Sequence, residues 1–430
     1  MSSRSRIRRN PRIRLGPAFA RFWLAHGASA VGGQIGELAL PLLAVVTLHA
    51  SATEAGLLGV ARWLPFLLLA LPLGVLADRR TRRPILIVSD VCRASLTIAV
   101  VVAAMAGALT LAALVTLVAL LGAFTVAFEV AYQSFLPSVV GREHLESANS
   151  RLQATFSVAE VAGPGVGGWL IQTFTTAGAL LVQAGTFIVS AVALLGIRSL
   201  EERPDPSAVS AMTQLREGLR FVRRDPYLVA LVGFSAIYNL FAQWVMVLLL
   251  VRAVREWGLT AGHLGLVFSL GAIGAVMGAA LAPRSVRRFG AGPVLVACAG
   301  AESIVLAALP VIEADWGRTL VVAALIGVFA VNGAGTSLSS VVALTLRQLR
   351  TPDHLLGRVN ATMRWISYGV VAIGAGIGGV LGDLVGTRLG IAIGCAGVVL
   401  TVVWVIASPL RRIGNPNDIT REEVVLTRES

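Results

Sequence analysis

Twelve apolar stretches, each long enough to cross a bilayer as a helix, run through this chain with little sequence between them. They fall at roughly 19–48, 54–77, 84–106, 109–137, 150–172, 177–198, 226–251, 262–283, 293–312, 318–346, 359–386 and 388–410. A hydrocarbon core about 30 Å thick takes roughly 20 apolar residues per helical span, so the pattern predicts an all-α polytopic membrane protein with twelve transmembrane helices. With 56% hydrophobic and 14% charged residues among 430, the chain has more apolar side chains than a soluble core could bury. The surplus is expected to face lipid, and the bilayer is the first partner the sequence implies.

The net charge of +13 does not point to nucleic acid, because it sits between the apolar runs rather than along one face. All 36 basic residues are arginine, and with the N-terminus inside, 29 of them fall on cytoplasmic segments and four on outer loops. That bias places both termini in the cytoplasm of a multi-pass protein, expected in a bacterial inner membrane. The Arg-rich start precedes a first run too long for a signal peptide, so it reads as a tail before a retained span. The expected organisation is a tail at 1–18, a first half at 19–198, a linker at 199–225, a second half at 226–410 and a tail at 411–430. Within the linker, Met212 to Arg224 has apolar positions at helical spacing, expected as a short helix on the anionic inner leaflet. Cys92, Cys298 and Cys395 lie in apolar runs without metal-ligand spacing and read as ordinary core thiols.

The two halves repeat one another. At an offset of 211, Gly163-Pro164-Gly165-Val166-Gly167-Gly168-Trp169-Leu170 corresponds to Gly374-Ala375-Gly376-Ile377-Gly378-Gly379-Val380-Leu381, and Asn149 aligns with Asn360. Parallel repeats related by an axis along the membrane normal are a transporter signature.

Gly74-Val75-Leu76-Ala77-Asp78-Arg79-Arg80-Thr81-Arg82-Arg83-Pro84 joins the second and third runs. A small residue at Gly74 lets helices approach closely, and Asp78 is suited to accept hydrogen bonds from a helix N-terminus or an arginine. In the glycine run of the fifth stretch, Pro164 removes a backbone donor and bends the helix. The first segment resembles the signature loop of the major facilitator superfamily, with Thr81 where the family prefers glycine. The glycine run resembles the antiporter motif of that superfamily's exporters, with Ala159 replacing a usual upstream glycine. Phe128 to Pro137, Glu143-His144-Leu145, Ala148-Asn149, Glu217 to Phe221 and Arg223-Arg224-Asp225-Pro226 resemble the branch containing macrolide-efflux proteins and the enterobactin exporter.

The resemblance covers most of the chain and implies two pseudo-symmetric six-helix halves and secondary active export of small amphipathic or apolar compounds by alternating access. It assigns an inner latch to Gly74, Asp78, Arg79, Arg82 and Arg83, and gating to Gly163, Pro164, Gly167 and Gly168. The fourth run lacks the arginine-bearing motif of the best-known drug/proton antiporters, which leaves the proton route open.

Ionisable residues inside spans are costly and read as functional candidates. Glu37 and Arg62 both fall in the outer half of their spans and are expected to pair. Glu129 and Glu160, with Glu37, are the candidate proton carriers, protons being the expected coupling ion. Asp90 and Arg93, one turn apart, are expected to brace the signature loop. Tyr238, Asn239, Gln243, Trp244 and Asn332 suit an apolar cavity with a few orienting hydrogen bonds for a small-molecule substrate. Neither a metal site nor a cofactor is expected: GxxxxGK[ST], HExxH and GxSxG motifs are missing, and a chain without lysine builds no Walker-type site. An enzyme is therefore not expected, and the chain is expected to act as a monomer. An uptake carrier or lysolipid flippase on the same fold is the competing reading, with a non-transporting membrane sensor behind it.

Overall fold

The computed structural model describes residues 16–141, 144–197 and 211–415. The tail before residue 16, the first part of the expected linker and the last fifteen residues lie outside it. Among the described residues the chain is helical, and eleven helices are long and apolar enough to cross a membrane. The first five are α1 (Pro17–Leu42), α2 (Ala52–Arg79), α3 (Arg82–Met105), α4 (Leu111–Val140) and α5 (Leu145–Leu195). The amphipathic α6 (Ala211–Arg224) precedes α7 (Pro226–Arg255), α8 (Ala261–Phe289), α9 (Ala291–Leu306), α10 (Arg318–Arg350), α11 (Asp353–Val385) and α12 (Thr387–Ala407).

The twelfth span is hidden in α5. Its 51 residues rise about 77 Å at 1.5 Å each, more than twice a bilayer core. Thr175 breaks it at φ 70° and ψ 170°, inside the gap expected between the fifth and sixth runs. The second arm, 176–195, returns to the starting end, where Leu194 packs with Phe19 and Phe22 of α1. Twelve spans therefore leave both described chain ends at one end of the bundle, called terminal here; the other is distal.

Local signals set the helix ends. Ser51 and Glu54 form a reciprocal capping box at the start of α2. Thr110 caps α4, and Asp225 accepts from the Tyr227 and Leu228 amides ahead of Pro226 at the first position of α7. Pro41 withholds an amide near the end of α1, and the chain continues as a wider π-helical turn at Leu43–Thr47. The link between α2 and α3 needs no glycine: Thr81 has φ −61°, open to any residue.

At the terminal end the apolar clusters stay within a half. Phe19, Phe22, Leu86, Phe135 and Leu152 join α1, α3, α4 and α5, while Leu228, Leu295, Leu346 and Val359 join α7, α9, α10 and α11. At the distal end clusters cross between halves. Leu38, Leu42 and Ala52 pack with Trp244 and Leu248, and Val45 and Ala55 pack with Val247, Val251 and Ala375. The bundle is thus sealed distally, with its halves packed separately at the other end.

The repeated glycines build two matching seams. Gly163 and Gly167 face Gln34 and Ile35 of α1, while Gly165 and Gly168 face Ser269 and Gly265 of α8. In the second half Gly374 and Gly378 face Leu240 and Trp244 of α7, while Gly376 and Gly379 face Val60 and Gly56 of α2. One pair of each quartet packs its own half and the other pair meets the opposite half. A side chain on Gly168 would come within 2.6 Å of the Ala261 carbonyl, and one on Gly379 within 2.6 Å of the Ala52 carbonyl. Only bare backbone permits these crossings.

Candidate functional site

Of the charged residues singled out from the sequence, Glu37, Arg62, Glu129 and Glu160 border one region inside the bundle, between the halves. Glu37 of α1 accepts from Arg62 of α2 at 3.2 Å. Glu129 of α4 meets Arg364 of α11 at 2.6 Å, joining the two halves. Arg364 also donates to the Tyr368 hydroxyl one turn on, at 3.3 Å. Both pairs keep partly exposed side chains, although their positions along the helices are far from either end. Glu160 on the first arm of α5 is exposed and lies within electrostatic range of Glu37, as Tyr368 does of Glu129 and Glu37. Three carboxyls and two guanidiniums therefore border one region, formally one negative charge in excess.

Aromatic rings form an apolar wall for the same region. Trp63 stacks on Tyr368 at 5.2 Å between centroids, Phe66 tilts against Tyr368 at 4.6 Å, and Arg62 lies over Trp63 at 5.7 Å. Trp365 donates from its indole to the Leu67 carbonyl at 2.8 Å. A flat apolar face beside a few fixed charges suits a molecule with both characters.

A separate cavity of about 170 Å³ lies in the second half. Tyr238, Asn239, Gln243 and Asn332 line it with Met246, Leu249 and Phe329. Tyr238 is hydrogen-bonded to Asn332 at 3.0 Å and to Thr336 at 3.1 Å. Trp244, expected in this group, is buried behind it and donates to the Gly390 carbonyl at 3.1 Å; its ring serves the packing of α7 on α12.

The distal seal has its own polar lock. Asp383 near the end of α11 accepts from Ser51 Oγ at 2.6 Å and from the Ala52 and Thr53 amides at 2.9 Å each. It thereby caps α2 from the other half. Arg255 of α7 donates to the carbonyls of His49 and Ala50 at 2.8 and 2.7 Å.

Among the signature-loop residues, Gly74 and Asp78 fall on the last turns of α2, and the Asp78 side chain lies outside the described residues. Arg79 is exposed; Arg82 opens α3; Arg83 donates to the Leu194 and Leu195 carbonyls at 3.0 and 2.6 Å, tying α3 to the second arm of α5. Asp90 and Arg93 do not brace that loop. Both are buried and pair with each other, Asp90 accepts from Ser190, Arg93 donates to Ser29, and Arg93 lies over Phe128 and Phe187 at 4.3 and 4.4 Å. Depth inside four packed helices overrides the sequence proximity on which the bracing expectation rested.

Sequence reasoning missed Arg364 as the partner of Glu129, the Asp383 cap and the buried Glu302 of α9. Glu302 was open to the criterion that selected Glu129, a lone carboxyl inside an apolar run. Asp383 sits at a span end, where acidic residues are unremarkable, and Arg364 stands in a run whose facing helix no single sequence names.

The comparisons with known proteins agree with this architecture. The multidrug efflux pump Tap of Mycolicibacterium fortuitum is 30% identical over 379 residues, covering 86% of this chain and 90% of that protein. The enterobactin exporter EntS of Citrobacter koseri is 25% identical over 405 residues, covering 93% and 94%. Among solved structures, a bacterial homologue of the iron transporter ferroportin in its inward-facing state matches with TM-score 0.72 at 20% identity, covering 91% of this chain and 98% of that one. The transmembrane secretion effector family matches residues 15–426, and the chain belongs to this family of major facilitator transporters, multi-pass membrane proteins rather than enzymes.

Proposed function

We propose that the chain is a proton-coupled exporter of small amphipathic or apolar compounds, drug-, macrolide- or siderophore-like, working as a monomer in a bacterial inner membrane. The terminal end is the cytoplasmic one, since the basic residues crowd there. On that assignment the apolar clusters of the two halves stay separate toward the cytoplasm and join toward the outside, the arrangement in which an exporter loads its cargo.

The observation that carries this reading is the set of charges between the halves: Glu37–Arg62, Glu129–Arg364 and Glu160, beside Trp63, Phe66 and Tyr368. The aromatic wall offers an apolar surface to cargo. A proton taken by Glu129 removes its charge and weakens the link to Arg364, so that protonation and the distance between halves are coupled. Relatives named for multidrug efflux and enterobactin export support the direction of transport.

The test is a substrate panel in inside-out vesicles under an imposed pH gradient. Gradient-driven uptake into the vesicles is expected for the parent, with loss of about tenfold or more in Glu129→Gln or Glu160→Gln. Full gradient-driven transport by both variants removes the proton assignment, and uptake in the opposite sense removes export.

A further inference from the structure

Glu302 stands outside the set of charges between the halves, yet among the described residues it is the most isolated carboxyl. It is 1% exposed on α9, its Oε1 has no hydrogen-bond partner, and it enters no ion pair among the described residues. The corresponding helix of the first half, α3, carries Asp90, equally buried but fully engaged by Arg93 and Ser190. The second half keeps the carboxyl and lacks the cation.

The space for it is built. A side chain on Gly335 of α10 would come within 2.9 Å of Glu302 Cγ and Oε1, so glycine there makes room for the carboxyl. Next in sequence, the Thr336 side chain lies against the Glu302 carboxyl, donates to the Asn332 backbone carbonyl at 2.8 Å and bonds the Tyr238 hydroxyl, which also bonds the Asn332 side chain. Tyr238 and Asn332 line the cavity of the second half. A chain of exchangeable groups thus runs from a sealed carboxyl to an open space.

The other groups around Glu302 are neutral thiols and hydroxyls or distant cations. Cys298 is one turn back on α9, and Cys395 of α12 donates to the Leu306 carbonyl. Arg347 of α10 lies near the terminal end and donates to Met363 Sδ, and Arg284, Arg287 and Arg288 occupy the last turns of α8. A carboxylate left without a cation in such a place is costly, and the neutral acid is the form these surroundings accommodate.

The geometry points to Glu302 as a proton-binding carboxyl of the second half that exchanges its proton with the cavity through Thr336 and Tyr238. The carboxyl passes its proton to a hydroxyl, which releases its own toward cavity water. The relay ends unchanged, Glu302 becomes anionic and one proton enters the cavity. This deepens the proton coupling proposed above, and its test needs no transported substrate.

Infrared difference spectra of the full-length protein in lipid, acid minus alkaline buffer, are expected to contain a protonated-carboxyl band that Glu302→Gln abolishes and Glu129→Gln and Glu160→Gln retain. Tyr238→Phe is expected to slow loss of that band after a pH jump by about 100-fold. Glu302→Asp, which keeps an acid one methylene shorter, is expected to shift its frequency, and this decides the matter should the glutamine variant fail to fold. A band untouched by either Glu302 variant overturns the proposal, as does a parent band that sodium chloride removes at constant pH, which assigns the site to a metal cation. An intact band without export in the vesicle panel sinks the export reading alone.

Discussion

Arg364 of α11 donates to Glu129 of α4 at 2.6 Å, midway along the bundle, so a charged hydrogen bond links two helices that belong to different halves. Its worth depends on the distance between those halves, which makes it a gauge of the conformational state.

A double-mutant cycle on Glu129→Gln and Arg364→Gln, read by thermal unfolding in detergent, is expected to give a coupling of about 0.5–3 kcal/mol, the range for residues in direct contact. Strict additivity of the two substitutions counts against the pair.

Gly168 and Gly379 stand where backbone meets backbone across the distal seal. Valine at either position overpacks it by about 1–3 kcal/mol, enough to shift an open–closed balance by about 5- to 150-fold. Labelling of a cysteine placed at Thr53 by an impermeant maleimide from the distal side is expected to accelerate in both variants; unchanged labelling excludes the seam as a gate.

Asp383 makes its three hydrogen bonds to the start of α2. Asp383→Ala removes a helix cap worth about 0.5–2 kcal/mol, and removes it only from the distally closed arrangement. The same labelling assay is expected to show faster distal access, by a smaller factor than valine at Gly379. No change in labelling shows that the cap leaves the gate balance unaltered.

The buried Asp90–Arg93 pair behaves differently. Arg93→Met strands a carboxylate among packed helices and is expected to cost about 3–5 kcal/mol, while the Asp90→Asn, Arg93→Met double variant recovers part of that loss. Thermal unfolding of the three proteins checks the order.

Twelve spans, the repeat and the crowding of arginines at one end were legible because lipid imposes length and polarity on every crossing. The offset of 211 located both glycine quartets, and the structure shows why register matters: residues two apart lie on opposite faces of the helix and serve different partners, Gly163 facing α1 and Gly165 facing α8. Pairing was less legible. Glu37 and Arg62 lie on consecutive helices, where depth alone suggests contact, whereas Glu129 and Arg364 are 235 positions apart and meet only because the halves face each other. The cavity residues Tyr238 and Asn332 were found by polarity, but Trp244 shares that polarity and satisfies it on a carbonyl of its neighbour.

Thr175 is the one non-helical residue between the two arms of α5. The first arm holds the glycines that touch α8, and the second carries Ser190, bonded to Asp90 deep in its own half. With no slack between them, a tilt of the first arm must either pivot on that single threonine or carry the second arm along. The Ser190 anchor and the tie from Arg83 to Leu194 favour the latter. Displacement at the seam then travels as the turning of a whole block, and a few inserted residues after Thr175 would uncouple the hairpin and leave the seam to move alone.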